Sequence, residues 1–470
     1  MNAEALPEPA GSPEVRSDME APVRFPTDAI PAEPARAKLL GLHPQRQEGL
    51  WMQRVRVSAG RVTGPQWRAL AAIVRELTPD EPLHLTTRQD LEIHGLTAAT
   101  APQAQRRMAE AGLTGLGSGG DTLRNVTVCP CAGVKPGAPE LEPLARFLTA
   151  HLRSHLQAYA LPRKFKVSLS ACRDACGLPW MHDVGLVARS TDDGWVFDAT
   201  VAGSLGASPA LGIAWPAPLA AADVPRFVMA AMEVFIQHGD RANRRRARLR
   251  HVRQRLGDEA FLALLRETFD ATAAPPGAAD VPIEAPQGDK GLAHQRRIAV
   301  PAGDLPAEVL DVLADLADRG DVVVRLGIHQ GIWVFAASEA TLEAVLAPLP
   351  PSWVGGPVIV ACPGMRWCSR SLVDTQAMAH RLWEDLGALP SRPFVAISGC
   401  PNGCAHSAVA DIGLFGGQVV HDDQRSDAFT VVIGGSAGQT PQIGTLVQRN
   451  ATPEEAIDLV LAHAREKADD

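Results

Sequence analysis

Two stretches of the chain share one pattern, and that pattern indicates how the whole chain is organised. Phe-Val-Ala-Ile-Ser-Gly-Cys-Pro-Asn-Gly-Cys occupies residues 394–404, and Phe-Lys-Val-Ser-Leu-Ser-Ala-Cys-Arg-Asp-Ala-Cys occupies residues 165–176. Each is an apolar run typical of a buried strand, followed by a C-x3-C pair. The two pairs are 228 residues apart, and so are Asp183 and Asp411 in the sequences that follow them. This constant offset predicts that the second half of the chain duplicates the first.

A smaller unit precedes each of these stretches. In the first half, alternating and helical patterns predict a strand, a helix, a strand and a helix near residues 49–57, 65–77, 83–95 and 101–112. The segment 297–335 repeats the pattern, with Gln330 in the place of Gln89. Each half is therefore predicted to consist of a small α+β unit and a larger α/β unit. A long basic helix over 241–268 is also predicted.

The bulk properties exclude several classes of protein. The chain has 470 residues, a formal net charge of -8 and eight cysteines. The negative charge disfavours a general nucleic-acid binder, and the chain is too long for its cysteines to form a disulfide scaffold. The sequence has neither a signal-peptide pattern nor an apolar run long enough to span a membrane, so a cytoplasmic protein is expected.

Four cysteines of the second half have the spacing of a metal centre. Cys362 and Cys368 form a C-x5-C pair, and Cys400 and Cys404 form a C-x3-C pair. Two close pairs of thiolates suit an iron–sulfur cluster. A structural zinc ion is the rival, but its usual C-x2–4-C spacing does not match C-x5-C; simple packing of buried thiols is the other alternative. Pro401 predicts a helix start after Cys400, where backbone N–H groups favour an anionic cluster.

A second set of cysteines, in the first half, matches this spacing only in part. Cys172 and Cys176 occupy the repeat position of the C-x3-C pair, but Cys129 and Cys131 do not reproduce C-x5-C. Relics of duplication, or packing, are the favoured interpretation of this set, and a second cluster is the less favoured one.

Several cations lie on or next to predicted strands of the first half. Arg88 is expected on a strand, Arg124 precedes the first-half cysteines, and Lys164 and Lys166 alternate so that both face one side. A buried unpaired charge is costly, so these cations predict an anionic partner, either a cofactor or a substrate. The alternative is a solvated strand face.

These motifs together resemble the sirohaem-dependent nitrite and sulfite reductases. The similar segments are Thr-Thr-Arg-Gln-Asp-Leu-Glu-Ile-His-Gly, Leu-Arg-Asn-Val-Thr-Val-Cys-Pro, Leu-Pro-Arg-Lys-Phe-Lys and the C-terminal cysteine set, and the resemblance extends from about residue 40 to the end. It implies an α+β, pseudo-two-fold duplicated nitrite/sulfite reductase fold, with ferredoxin-like half-domains and two larger α/β modules. It also implies a [4Fe–4S] cluster and a sirohaem, and an oxidoreductase activity.

The resemblance implies roles for particular residues. The cluster ligands would be Cys362, Cys368, Cys400 and Cys404, with Cys404 also bridging to the sirohaem iron. The catalytic cations would be Arg88, Arg124, Lys164 and Lys166. Residues near the macrocycle would be Gln89, Arg124, Arg163, Asn402 and Cys404. Electrons would come from a separate donor such as a ferredoxin or a flavoprotein, since the sequence has no flavin or nicotinamide fingerprint.

The implied domain division follows the repeat. It comprises a disordered tail (1–36), a ferredoxin-like half-domain (37–116), a sirohaem- and substrate-binding domain (117–270), a linker (271–290), a second half-domain (291–352) and a cluster- and sirohaem-binding domain (353–470).

The identity of the substrate is the most specific of these expectations. In the resembled family, sulfite reductases have Lys-x-Lys where plant-type nitrite reductases tend to have asparagine as the second residue. Lys166 therefore favours the six-electron reduction of sulfite to sulfide. Reduction of nitrite to ammonia at the same site is the alternative. A precorrin-3B synthase-like monooxygenase is a further one, and the Gly403-Cys404-Ala-His sequence is similar to it.

Overall fold

The computed structural model describes residues 24–286, 292–389, 392–421 and 424–469. The expected tail therefore lies largely outside the described residues, as does the end of the expected linker. From residue 24 the chain packs against the protein, since Phe25 and Ile30 contact the apolar core. Among the described residues no helix is long and apolar enough to cross a membrane.

The first small unit is built around a five-stranded antiparallel sheet. Its elements are α1 (Pro34–Leu39), β1 (Leu42–Pro44), β2 (Trp51–Val55), α2 (Gly64–Leu77), β3 (Leu83–Leu85), β4 (Leu91–Leu96) and α3 (Thr100–Glu110). Helix α2 begins where Thr63 and Gln66 form a reciprocal capping box, and it buries Trp67, Leu70 and Val74.

The second small unit repeats this arrangement. Its elements are β11 (His294–Ala299), β12 (Asp304–Leu305), α8 (Ala307–Asp318), β13 (Val322–Leu326), β14 (Gly331–Ala336) and α9 (Glu339–Leu346). Strand β12 pairs with β3 of the first unit, which extends that sheet across the two halves. One apolar core contains residues of both units, so the two half-domains stabilise each other.

The two larger modules have the same strand pattern. The first contains β5 (Thr127–Val128), α4 (Glu142–Arg153), β6 (Val167–Ser170), β7 (Val184–Thr191), β8 (Gly194–Val201), β9 (Ile213–Ala214), β10 (Leu219–Ala220), α5 (Val224–His238), α6 (Leu249–Leu256) and α7 (Asp258–Ala271). The second contains β15 (Ile359–Ala361), α10 (Gly364–Trp367), α11 (Thr375–Gly387), β16 (Val395–Ser398), β17 (Ile412–His421), β18 (Gln424–Ile433), β19 (Thr445–Ala451) and α12 (Pro453–Asp469).

In each larger module, three parallel strands are followed by an antiparallel one. Strands β5, β6 and β7 are parallel and β8 returns antiparallel; β15, β16 and β17 are parallel and β18 returns antiparallel. The predicted α+β duplication is confirmed. Both C-x3-C pairs follow the carboxyl end of the middle strand, where parallel sheets usually place their functional groups.

Two glutamines join the halves by a symmetric exchange of hydrogen bonds. Gln89 donates to the carbonyls of Val128 and Leu326, each at 2.7 Å, and accepts from the Val128 N–H. Gln330 donates to the carbonyls of Leu85 and Ala361, and accepts from the Ala361 N–H. Each amide thus ties its own small unit to the other half and to the strand that leads into a cysteine loop.

Three local predictions were wrong. Arg88 lies in the turn between β3 and β4, because Gln89 has a φ of 59° and ends the extended pattern. No α-helix follows Cys400, since Gly403 has a φ of 61° and the chain forms consecutive turns. The long basic helix is two helices, α6 and α7, separated at Gly257 with a φ of 83°.

Candidate active site

The four C-terminal cysteines lie on two neighbouring loops at the ends of β15 and β16. The Cys362 N–H donates to the carbonyl of Ile397 at 3.1 Å, which fixes the first loop against β16. The Cys362 sulfur then accepts the N–H of Gly399 at 3.1 Å. Backbone N–H groups also donate to the other sulfurs, from Ser371 to Cys368 and from Asn402 to Cys400. Such donors stabilise thiolates.

Small residues allow these two loops to approach each other. A side chain at Gly399 would place its Cβ 1.9 Å from the Ser371 hydroxyl, and one at Gly364 would place it 2.3 Å from the Thr375 hydroxyl. Thr375 donates to the Cys362 carbonyl at 2.6 Å, so helix α11 holds the first loop from behind. Larger residues at either glycine would separate the thiols.

Burial separates three of these cysteines from the fourth. Desolvation raises the pKa of Cys362 to about 12, and it also raises the pKa of Cys368 and Cys400. Cys404 is the exposed member of the set. Its sulfur is close enough to Lys164 and Arg54 to influence both electrostatically, so it lies between the other thiols and the cations of the first half.

A hydrogen bond connects the turn that contains Arg88 directly to Cys404. The Thr87 hydroxyl donates to the Cys404 carbonyl at 3.1 Å. Arg88 itself donates to the carbonyl of Asn125 and to Nε2 of His182, at 2.9 Å in the latter case. The contact fixes the tautomer of His182, because its Nδ1 must donate to the Leu178 carbonyl at 2.7 Å. Desolvation and the neighbouring cations lower the pKa of His182, which keeps the ring neutral.

Arg124 and Arg54 converge on one backbone carbonyl. Both donate to the oxygen of Ser118, and Arg124 also donates to the oxygen of Gly120 at 2.7 Å. Arg54 is held from the other side by Glu92, at 2.6 Å. Desolvation, followed by the charge of Arg54, lowers the pKa of Arg124 to about 9. Arg54 is not among the residues predicted from the sequence, although it is in the alternating strand β2 that begins at Trp51.

Lys164 and Lys166 precede β6 and lie beside the same cations. Desolvation lowers the pKa of Lys164 to about 8, an effect that the Cys404 thiolate opposes. Desolvation also lowers the pKa of Lys166 well below the usual value for lysine, and the charges of Arg88 and Lys164 add to this effect. The Lys166 N–H donates to Asp183 at 2.8 Å, and Arg248 donates to the same carboxylate oxygen at 2.8 Å. Asp183 thus pairs with Arg248, and within the described part of the chain neither lysine ammonium group forms an ion pair with a carboxylate of its own.

The remaining predicted residues lie around this group in different environments. Gln89 is buried and its amide is bound to backbone groups. Arg163 pairs with Asp121 at 3.0 Å and is about one third exposed. Asn402 is exposed and donates to the Cys400 sulfur.

Comparison with known proteins identifies the chain. The family described as "Nitrite and sulphite reductase 4Fe-4S domain" matches residues 119–272 and 357–465, and the "Nitrite/Sulfite reductase ferredoxin-like half domain" matches residues 43–111. This chain belongs to the nitrite and sulfite reductase family. It is an oxidoreductase that acts on nitrite or sulfite.

Relatives from distant organisms match over most of their length. The ferredoxin–nitrite reductase of Synechococcus elongatus is 31% identical over 441 residues, which cover 88% of this chain and 85% of the relative. The chloroplastic ferredoxin–nitrite reductase of Betula pendula is 29% identical over 91% of this chain and 78% of its own. The structure of the Mycobacterium tuberculosis NirA protein superposes with a TM-score of 0.77 at 24% identity, over 90% of this chain and 85% of that one, and it supports the fold.

The family's two cofactors, a sirohaem and a [4Fe–4S] cluster, therefore belong to this chain, and its residues fit both. Four thiols with backbone N–H donors suit the cluster. Several buried guanidinium nitrogens of the first half lack a protein partner among the described residues, which suits a macrocycle with many carboxylates: they are Nε of Arg88, Arg124, Arg248 and Arg250. The described residues contain no three His, Cys, Asp or Glu side chains that converge on a single ion. A cluster, whose ligands are farther apart than those of one ion, is consistent with this spacing.

Proposed function

We propose that the protein catalyses the six-electron reduction of nitrite to ammonia. The observation that supports this reaction is the group of cations around the exposed Cys404, namely Arg54, Arg88, Arg124, Lys164 and Lys166. A small anion is attracted to such a site, and the positive charge offsets the charge that builds up as electrons arrive. The relatives described above are named ferredoxin–nitrite reductases, which favours nitrite.

In this proposal Cys362, Cys368, Cys400 and Cys404 are the cluster ligands. Cys404, the exposed member beside Lys164 and Arg54, would be the cluster ligand that faces the sirohaem. When bound, the two cofactors would transfer the electrons that the donor supplies and would provide the iron for the substrate. The protein partly buries three of the thiols and leaves the fourth exposed beside Lys164 and Arg54.

The cations divide between substrate and cofactor. Arg124 and Lys166 are proposed to bind the anion, because both are desolvated and lie beside the charge of Arg88. Lys164, with a pKa of about 8, is suited to donate protons near neutral pH. Arg88 would place its free Nε toward the same anion. Arg163 and Asn402 are proposed to donate to macrocycle carboxylates, and Gln89 to position Arg88.

Sulfite is the second candidate substrate, and one residue favours it. Lys166 occupies the position where plant-type nitrite reductases tend to have asparagine. An additional ammonium group there suits the doubly charged sulfite ion better than the singly charged nitrite ion. The electron donor is proposed to be a ferredoxin, as in the names of the relatives.

The test is a comparison of steady-state kcat/KM for nitrite and sulfite, with reduced ferredoxin and with a low-potential artificial donor. The proposal predicts a higher kcat/KM for nitrite and ammonia as the product. A higher value for sulfite, with sulfide as the product, would replace nitrite by the second candidate. Absorption bands of sirohaem are expected in the purified protein. Their absence, from cells able to make sirohaem, would instead favour a precorrin-3B synthase-like monooxygenase.

A further inference from the structure

The guanidinium of Arg88 is held at both of its terminal nitrogens, while its third nitrogen stays free. Its Nη2 donates to the carbonyl of Asn125, and its Nη1 lies 2.9 Å from Nε2 of His182. Its Nε is buried and has no partner among the described residues. Because the guanidinium is planar and rigid, the two contacts also fix the direction of the free Nε–H.

His182 can make its contact with Arg88 only as an acceptor. A guanidinium has no acceptor atom, so Nε2 of His182 must accept the hydrogen bond. The other ring nitrogen, Nδ1, lies 2.7 Å from the carbonyl of Leu178 and must donate to it. Both contacts require the neutral ring with its proton on Nδ1. Burial lowers the pKa of His182 and so maintains this state.

The residue that follows His182 connects it to a second cation of the pocket. One carboxylate oxygen of Asp183 accepts the N–H of Lys166 at 2.8 Å and a guanidinium N–H of Arg248 at 2.8 Å. Two consecutive residues therefore hold Arg88 by its side chain and Lys166 by its backbone. The position of the imidazole is thus fixed relative to the strand that begins directly after Lys166.

Comparison of the two halves separates the imidazole from the requirements of the fold. Asp183 has its counterpart in Asp411, but the residue before that acid is Ala410 in the second half. Arg88 has its counterpart in His329, which precedes the other paired glutamine. The acceptor is therefore present in the half that has the guanidinium and is replaced by a methyl group in the other. The shared fold forms with either residue, so it does not account for the imidazole.

We propose that His182 is a positioning residue of the anion pocket, which accepts a hydrogen bond from Arg88 and thereby directs the free Nε–H of the arginine to the bound anion. This inference rests on the proposed function, in which Arg88 contacts the substrate. Without the acceptor, Nη1 of Arg88 would be buried without a partner, and the guanidinium would turn to find one. A displacement of about 1 Å in a group that orients a substrate can lower the rate by about 10²-fold.

Two amide substitutions separate the two hydrogen bonds of the imidazole. The amide of glutamine reaches the place of Nε2 and can accept from Arg88, whereas the shorter asparagine reaches only the place of Nδ1. Per bound sirohaem, His182→Asn should lower kcat/KM for nitrite by about 10- to 100-fold, and His182→Gln should retain most of it. The Kd of nitrite, measured from the absorption change of the sirohaem, should rise in His182→Asn alone. Full kcat/KM in His182→Asn, or an equal loss in both variants, would overturn the proposal.

A double-mutant cycle with Arg88 provides a readout that a purely structural role would not produce. In an Arg88→Met background the contact is already absent, so His182→Asn should lower kcat/KM by less than about twofold further. The full loss in that background would mean that His182 acts independently of Arg88, which also overturns the proposal. The cycle is measured with nitrite and with sulfite. A preference of the wild type for sulfite would then correct the proposed substrate without changing the conclusion on His182.

Discussion

The two halves of the molecule present the same cysteine turn to opposite environments. In the second half, Cys404 is exposed and lies beside Arg54 and Lys164. In the first half, the equivalent Cys176 is half-buried and packs against the apolar core of its module. The C-x3-C turn has the same backbone conformation in both halves, with a positive φ at Ala175 and at Gly403, so the difference at this turn comes from the residues around it. A duplicated fold thus provides two equivalent cysteine turns, and the charges around each determine which one attracts an anion.

Sequence positions in the two halves explain the contrast. The residues that precede the paired glutamines are Arg88 and His329. Desolvation lowers the pKa of His329 to about 3, so this ring is neutral where Arg88 is charged. The anion pocket therefore belongs to one side of the pseudo-two-fold axis, formed by cations of the first half and thiols of the second.

The largest expected effect comes from a comparison of two variants, each of which lacks one thiol of one half of the molecule. Cys400→Ser should lose cluster iron and acid-labile sulfide, and nitrite turnover should fall to background, because the hydroxyl is a poor cluster ligand. The matched Cys172→Ser should retain the iron, the sulfide and most of the turnover. Iron analysis and steady-state rates measure both. Full iron in Cys400→Ser, or loss of cluster iron in Cys172→Ser, would contradict the assignment of the cluster to the second-half cysteines.

A smaller effect is expected from removing one cation of the pocket. Arg124→Leu should lower kcat/KM for nitrite by about 10²- to 10³-fold, the usual loss for a charge that stabilises a transition state. Arg319→Ala is the control, since Arg319 pairs with Asp321 at the surface and should have no effect. Sirohaem absorption must be measured in parallel, because a variant that has lost the macrocycle reports on cofactor binding instead.

The sequence alone predicts the course of the backbone better than it predicts the residues of the site. The constant offset of the C-x3-C pairs predicts the duplication correctly, because a strand followed by a cysteine turn is a local pattern. Alternation continues through Thr-Thr-Arg-Gln, so the turn at Arg88 was mistaken for a strand. The amide of Gln89 stabilises that turn through bonds to Val128 and Leu326, which no local pattern reveals.

Long-range contacts explain the other omissions. Arg54 joins the pocket because it shares the Ser118 carbonyl with Arg124, a residue 70 positions later in the chain. Cys129 was not recognised as the counterpart of Cys362, because the spacing to the next cysteine differs between the halves. Its hydrogen bonds to Leu169 and Ala171 establish the equivalence, and these depend on strand pairing.

The pH dependence of the reaction should reveal Lys164. Its pKa of about 8 lies below the usual value for lysine, so the ammonium is charged below pH 8 and becomes neutral above it. The value of kcat/KM for nitrite should therefore fall as the pH rises through about 8. Lys164→Arg should remove this fall, since the guanidinium stays charged. An unchanged profile in Lys164→Arg would assign the titration to another group.

The smallest effect is expected from the two glutamines that join the halves. Gln89→Leu and Gln330→Leu should each lower the free energy of unfolding by about 1–3 kcal/mol, because each leaves a buried N–H and carbonyls without a partner. The loss of Gln330 frees Ala361 next to Cys362, whereas the loss of Gln89 frees Val128 next to Cys129. Thermal unfolding should thus show similar losses, while weaker cluster retention is expected in Gln330→Leu alone. Equal loss of cluster iron in both variants would mean that the amides stabilise the interface as a whole and not their own cysteine loops.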